Sequence, residues 1–414
     1  MKHVITDWYF EDLCTHGYLN RRDMLTLLAL AGGGLIIGCA TNPVTGQRQL
    51  NFMSPSQEIA VDKQHAPDQI SQDYGRVQDT GLQSYVQGVG RGIGKVSHRP
   101  EMPYTFNALN ANYVNAYAFP GGTIGITRGI LLSLENESEL AALIGHEVGH
   151  ISARHTAQQM SKQTLAGIAV AGVGILLATQ VDSDAAALAL GLGGIAAGLL
   201  LAKYSRSDER QADALGLEYM CKAGHNPNGM VRLMDMLRGL SKTEPSMVEQ
   251  MFSSHPMSTE RYNSMRREVE TRYTANMRAS VNRERYMDAT ARLRKLKPAI
   301  DKQKDAEEAL IAKKYREGEA LLHEALKIAP NDYTGLVLMA KAKIIQENDR
   351  GAIPYLDRAI AAYPGEPQAK QLRGVVDARL GNKQAALQHF HECAARAPDS
   401  RITDRCIAIL EAVC

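Results

Sequence analysis

The sequence predicts a mainly α protein with a small β-sheet, divided between a metal-binding helical domain and a C-terminal α-solenoid. Three observations lead there. An apolar helical pattern over residues 136–160 carries His146, Glu147 and His150 in the order HExxH. Short β-prone runs separated by turn residues fill residues 104–127. Near the end, prolines recur at a period of 34 residues.

The helical pattern comes first because it carries chemistry. Asn136 is a good N-cap, with Glu139 three residues on, and Leu140, Leu143, Ile144 and Val148 form an apolar stripe at helical spacing. Residues four apart share a helix face, so His146 and His150 can present two imidazole nitrogens to one Zn²⁺ per chain, at roughly 2.0–2.1 Å each. Glu147, one position round, can reach a water on that ion without being a ligand. Ionisable groups in an apolar stripe are costly to bury without a partner, and a metal supplies one.

A third protein ligand is required. The continuation HExxHxxGxxH fails, because Ala153 and Thr156 occupy the glycine and last histidine positions. His155 points well round the predicted helix and reads as a polar surface or packing residue. Downstream, in SRSDERQADALGLEY over 205–219, Glu209 and Asp213 lie four apart on a second predicted helix. Glu209 can complete a His/His/Glu set with one open position, and Asp213 can accept a ring N–H from a ligand histidine. Taken alone, these acids read better as the charged face of a helix.

HEVGH followed at a distance by ERQAD resembles the HtpX/BepA-type zinc metalloendopeptidases, relatives of the CAAX prenyl proteases. NPVTGQRQLNFMSPSQEIAV at 42–61, NAYAFPGGTIGITRGIL at 115–131 and SHPMSTER at 254–261 extend the likeness over roughly residues 42–269. The resemblance implies a zincin fold of the gluzincin type, with zinc ligands His146, His150 and Glu209, general base Glu147 and supporting Asp213. It also implies that the small sheet sets an edge strand beside the zinc helix, able to pair with an extended peptide. The family pattern SHPxxxxR is matched by Ser254, His255, Pro256 and Arg261. Within it, His255 is a temporary fourth ligand, an oxyanion donor or simply part of a helix-starting turn. The expected activity is hydrolysis of misfolded or misassembled outer-membrane proteins, with assembly proteins of that membrane as partners. A rival reading is a periplasmic chaperone or scaffold whose zinc site is mostly latent and whose repeats do the binding.

Composition sets the wider frame. A formal net charge of +2 and no basic patch exclude nucleic acid as the main partner. Arg21-Arg22, an apolar run over 24–37 and Gly38-Cys39 read as a lipoprotein export signal over 1–38, of twin-arginine type, leaving Cys39 lipid-bearing. An uncleaved anchor gives the same topology: a periplasmic, membrane-attached protein, with the outer membrane preferred. Beyond the leader and Cys39 remain Cys221, Cys393, Cys406 and Cys414, an even number that permits disulfides, while the lack of a CxxC pair excludes a structural zinc site.

Along the chain, Ser54, Pro55 and Gln57 signal a helix start, and a second helix is expected over 80–96. Strands are expected over 104–109, 113–119 and 123–127. Two Gly/Ala-rich apolar stretches at 165–178 and 185–202 are short for membrane spans; helices over the site, an interfacial hairpin and a spanning hairpin all remain open. At the C-terminal end, Pro330, Pro364 and Pro398 are each 34 residues apart. Ala325, Ala359 and Cys393 keep the same register, as do Leu322, Leu356 and Phe390, and Gly318, Ala352 and Ala386. Small residues at helix crossings and large ones in grooves at this period mark tetratricopeptide repeats, which can form a concave protein-binding surface. Lys343 and Asp377 stand where an aromatic is usual. The expected domains are thus a leader (1–38), a metallopeptidase domain (39–270), a helical linker (271–297) and a repeat domain (298–414).

Overall fold

The computed structural model of the chain describes residues 39–162 and 204–396. The leader, the apolar stretches at 165–202, Cys406 and Cys414 lie outside the described residues.

A hairpin of β1 (Cys39–Thr41) and β2 (Arg48–Leu50) leads into α1 (Pro55–Gln72). Ser54 closes the expected capping box, its hydroxyl accepting from the Gln57 amide while the Gln57 side chain accepts from Ser54 N–H. Helix α2 (Thr80–Lys95) turns Leu82, Val86 and Ile93 into the core. A three-stranded sheet follows, with β3 (Thr105–Leu109), β4 (Ala116–Ala118) and β5 (Thr123–Thr127) in the order β3-β5-β4. Strand β3 runs parallel to β5 and β4 antiparallel to it, with Tyr117 opposite Gly125. Strand β4 is shorter than expected because Thr127 takes over part of the pairing: its side-chain oxygen accepts from Asn115 N–H at 3.0 Å and donates to the Tyr113 carbonyl at 2.6 Å.

Next come α3 (Arg128–Ser133), α4 (Glu137–Ala153), α5 (Arg206–Lys222), α6 (Asn228–Thr243), α7 (Pro245–Ser254) and α8 (Thr259–Arg272). Helix α4 is buried on every side, packed by α2, β4, α5 and α6. The apolar stripe therefore shows only part of its contacts. Contrary to expectation, α4 does not run unbroken to residue 160. It ends at Ala153, and Arg154 adopts the left-handed conformation at φ +62°. A buried ion cluster holds that turn, with Arg154 Nε 2.8 Å and Arg99 Nη2 2.7 Å from the two oxygens of Glu58.

Helices α4 and α5 touch backbone to backbone. A Cβ on Gly145 would stand 2.7 Å from the Gly216 carbonyl oxygen, one on Gly216 2.7 Å from the His146 amide nitrogen, and one on Gly149 2.9 Å from the Ala212 carbonyl oxygen. Any side chain there would hold the two helices apart.

Residues 271–297 form a short 3₁₀ turn (Thr274–Arg278) and helices α9 (Arg283–Ala289) and α10 (Ala291–Lys295). Tyr286 is fully buried in the same core as α4, donating to the Leu131 carbonyl at 2.6 Å. Three helix pairs then stack: α11 (Lys297–Ile311) with α12 (Tyr315–Ile328), α13 (Tyr333–Ile345) with α14 (Asp349–Ala362), and α15 (Pro367–Arg379) with α16 (Lys383–Ala394). Gly318, Leu322, Ala325 and their counterparts one and two periods later are all buried at the crossings. Lys343 and Asp377, at the aromatic positions, form ion pairs with Glu319 and Arg373. Helix α13 is buried nearly all round, because its remaining face meets the N-terminal body: Thr334 donates to the Asn110 carbonyl, and Arg128 pairs with Asp332 at 2.8 Å. Part of the expected concave surface is thus taken up by the chain itself. Cys393 is disulfide-bonded, whereas Cys221 is free and buried. Among the described residues, no helix is long and apolar enough to cross a membrane.

Candidate metal centre

The helical periodicity of α4 puts His146 and His150 one turn apart, and the glycine contact brings α5 close enough for Glu209 to reach them. His146 Nε2 lies 3.1 Å from His150 Nε2. Glu209 Oε1 is 3.3 Å from His150 Nε2, and Oε2 is 3.7 Å from His146 Nε2. From the start of the loop after α7, His255 brings its Nδ1 to 3.3 Å from His146 Nε2 and 2.9 Å from Glu209 Oε1. Ligand atoms from all four residues fall within 4.8 Å of one another, and all four residues are buried.

The surrounding hydrogen bonds fix where the protons sit. His146 Nδ1 is 3.0 Å from Asp213 Oδ1, so this nitrogen donates and Nε2 keeps its lone pair. His155 Nε2 donates to Gln211 Oε1 at 3.0 Å, so its Nδ1 accepts from His150 Nδ1, also at 3.0 Å. The Nε2 lone pair of His150 is then free as well. Two lone pairs and a carboxylate therefore converge with no proton between the nitrogens, which is repulsive unless a cation sits among them. Donors each 2.0–2.1 Å from a tetrahedral ion lie about 3.3 Å apart, and the observed spacings fit that figure.

The electrostatics follow from burial. Burial raises the Glu147 carboxyl above its usual value, with His255 and His146 offsetting only part of the effect. Neither Glu147 oxygen has a hydrogen-bond partner, and His255 Nε2 is 3.8 Å away. Burial also pushes His150 well below its ordinary value and keeps it neutral. Asp213 is likewise desolvated, but the Arg261 guanidinium outweighs that and holds its carboxyl below the usual range. These directions describe the protein groups by themselves; a bound dication favours the charged carboxylates further.

Arg261 ties the parts together in a way the sequence motif did not reveal. Its Nε and Nη2 each stand 2.7 Å from an Asp213 oxygen, its Nη1 is 2.5 Å from Glu209 Oε2, and Nη1 also donates to the Pro256 carbonyl at 2.9 Å. One side chain thus links the carboxylates of α5 to the loop that carries His255. Of the two readings of His155, surface or packing, the structure shows the packing one: it is buried against His150, because the break at Arg154 swings it back over the site. Tyr204 was not singled out from the sequence. Its ring stacks on His150 at 3.9 Å and 27°, pinned by a 2.9 Å bond between its hydroxyl and that of Thr156. The Gly145 and Gly149 pair, at one-turn spacing, was the available signal for the close helix approach.

Comparison with known proteins agrees with this geometry. The model of peptidase family M48 matches residues 80–269, and a tetratricopeptide-repeat model matches residues 309–376. A putative beta-barrel assembly-enhancing protease of Vibrio cholerae is 31% identical over 200 residues, covering 46% of this chain and 40% of its own length. The beta-barrel assembly-enhancing protease of Yersinia pestis is 26% identical over 317 residues, covering 70% of this chain and 64% of its own. The metalloprotease YcaL of Escherichia coli is 32% identical over 164 residues, covering 40% of this chain and 61% of its own. The chain thus spans less than two thirds of the length of each of these relatives. The M48 family implies a metal, and the His/Glu cluster provides a group able to hold one. The chain therefore carries a peptidase family M48 domain followed by tetratricopeptide repeats.

Proposed function

We propose that the protein is a zinc-dependent endopeptidase acting on unfolded or misassembled envelope proteins. The observation that carries this reading is the convergence of two imidazole lone pairs and the Glu209 carboxylate beside the unpartnered carboxylate of Glu147. His146, His150 and Glu209 would hold one zinc ion per chain. When bound, zinc supplies Lewis acidity, lowering the pKa of water toward about 7 and polarising a carbonyl.

The chain's own groups supply the rest. Glu147 accepts a proton from the attacking water and returns it to the leaving amine, and its burial makes it a stronger base than an exposed carboxylate. Asp213 and His155 hold the ligand rings in the required tautomer, and Arg261 keeps Asp213 charged and aligned. An extended substrate pairs with β4, the outer strand of its sheet. The bonds Thr127 N–H to Asn115 O and Phe119 N–H to Thr123 O set the alternation, so the backbone groups of Ala116 and Ala118 face away from β5. His255 is read as a fourth ligand that keeps the site shut until its loop moves, because its Nδ1 takes the remaining corner of the donor set.

The envelope setting rests on further support. The leader motif ends at Cys39, read as the lipid-bearing residue of a periplasmic, membrane-attached protein. The disulfide at Cys393 fits an oxidising compartment. The relatives' names point to β-barrel assembly, so substrates and partners connected with outer-membrane assembly follow. Glu147→Gln should keep zinc and fold while losing hydrolysis of an unfolded protein such as casein. Undiminished hydrolysis by the zinc-loaded variant would overturn the assignment.

A further inference from the structure

We propose that the repeat domain sets the position of β4, and that Tyr74 and Asp73 are the positioning residues that transmit it. The inference builds on the reading that β4 pairs with substrate, and it can be tested apart from that reading.

The connection begins at a turn that is strained and gripped from outside. Directly after α1, Tyr74 has φ +62° and Gly75 φ +75°, two successive residues in the left-handed region. For a large aromatic side chain that conformation is costly and persists only where its surroundings enforce it. The backbone of the turn is closed by Gly75 N–H on the Ile70 carbonyl at 2.8 Å and by Asn110, whose Nδ2 donates to the Tyr74 carbonyl at 3.1 Å, while the side chains of the turn are gripped by the repeats. The Tyr74 hydroxyl donates to Glu307 Oε1 at 2.9 Å, and the Lys341 ammonium sits 4.7 Å over its ring. The other Glu307 oxygen accepts from Asn112 Nδ2 at 3.0 Å. Gly75 is pressed so closely that a Cβ there would meet Tyr363 at 2.8 Å and the Glu366 carboxylate. The Ser71 hydroxyl bonds to that same carboxylate.

Asp73, the neighbour of Tyr74, faces the other way. Its two oxygens accept from the hydroxyls of Tyr113 and Tyr117, each at 2.6 Å, and Gln69 adds a third bond at 3.1 Å. Tyr117 is the central residue of β4. Strand alternation sends Ala116 and Ala118 into the core that contains α4, and Tyr117 into a separate cluster with Ala66, Phe119 and Ile70. Asp73 therefore holds β4 from behind, on the face opposite the metal-binding helix. The distance and tilt of the strand relative to α4 depend on where Asp73 stands. Asp73 is bonded to α1 through its amide on the Gln69 carbonyl, and the turn that follows it is gripped by Glu307, Lys341 and Glu366 of the repeats.

The test uses the full-length, zinc-loaded chain. Tyr74→Phe removes the hydroxyl bond to the repeat while keeping the ring, and Glu307→Gln weakens the same connection from the repeat side. Amide exchange at residues 116–118 should rise about 5–10-fold in both, the effect of losing roughly one hydrogen bond, with α4 amides unchanged. Lys302→Met, which removes a surface pair with Glu324 inside the repeats, should leave exchange at 116–118 as in wild type. With a peptide substrate, KM should rise several-fold in Tyr74→Phe and Glu307→Gln at nearly constant kcat. Unchanged exchange at 116–118 in both folded variants would overturn the proposal. So would a uniform loss of protection across α2, α4 and β3, which marks general destabilisation. If the wild-type chain hydrolyses no peptide, the peptidase reading falls, and the exchange result still decides this one.

Discussion

Replacing Gly216 by alanine tests whether the metal centre depends on the contact between α4 and α5. The added Cβ would lie 2.7 Å from the backbone nitrogen of His146, where ordinary contact begins at 3.4 Å, a shortfall of 0.7 Å. The obstacle is backbone on both sides, so the helices must separate; no side chain can rotate away. Glu209 lies two turns before Gly216 on the same face of α5, and the displaced atom belongs to His146 itself. The needed shift exceeds the roughly ±0.2 Å tolerance of a metal–ligand bond. Overpacking of this kind costs about 1–3 kcal/mol, against which alanine recovers roughly 0.5–1 kcal/mol of helix propensity. Zinc affinity should drop by at least the 10–100-fold that loss of a ligand-orienting partner causes. Chelator competition and thermal melts, with and without zinc, read both effects. Gly88→Ala is the control, since a Cβ there meets nothing within 4 Å. If Gly216→Ala binds zinc with wild-type affinity and melts at the wild-type temperature, the helix contact does not set the site.

Two further predictions follow from particular side chains. His255→Ala should raise basal peptidase activity several-fold, with the gain lost on adding Glu147→Gln; a fall in kcat of about 10²–10³ would instead make His255 an oxyanion donor, and unchanged kinetics would leave it neither role. Glu366, buried at the domain contact, has its carboxyl pushed up to about 7 by burial, only partly offset by the Ser71 hydroxyl, the Gln368 amide, Lys370 and Arg76. The folded protein therefore holds this proton more tightly than the unfolded chain, so stability falls as pH rises from about 4.5 to about 7, by at most about 3 kcal/mol at 1.36 kcal/mol per pKa unit. Glu366→Gln should flatten that slope in urea titrations across the window, and an identical slope in the variant would rule the carboxyl out as its source.

What could be read from the sequence was whatever repeats locally. The HExxH pair is legible because helix geometry alone puts residues four apart on one face, and the repeats are legible because the same crossing must be built three times. The break at Arg154 left no local trace. There is no glycine or proline there, and the turn exists because Glu58, nearly a hundred residues earlier, waits for the guanidinium. The same limit applied to His155, whose place over the site follows from that break. For Arg261 the motif marked the residue but gave no hint of its double grip on Asp213 and Glu209, since both partners lie on another helix.

The two kinds of information meet at α4. On the proposed reading its histidines define a metal site because three glycines let α5 come within backbone contact, and Glu147 serves as a base because burial leaves its carboxylate without a hydrogen-bond partner. The motif residues thus specify which chemistry is available, while residues without chemistry of their own decide whether it is assembled. On the same reading, control belongs to a third group. His255 completes the donor set from a loop that Arg261 holds, and β4 is braced through Asp73 by groups in the repeats. For an endopeptidase, the proposed arrangement would tie opening of the site and settling of the strand to contacts far from the scissile bond.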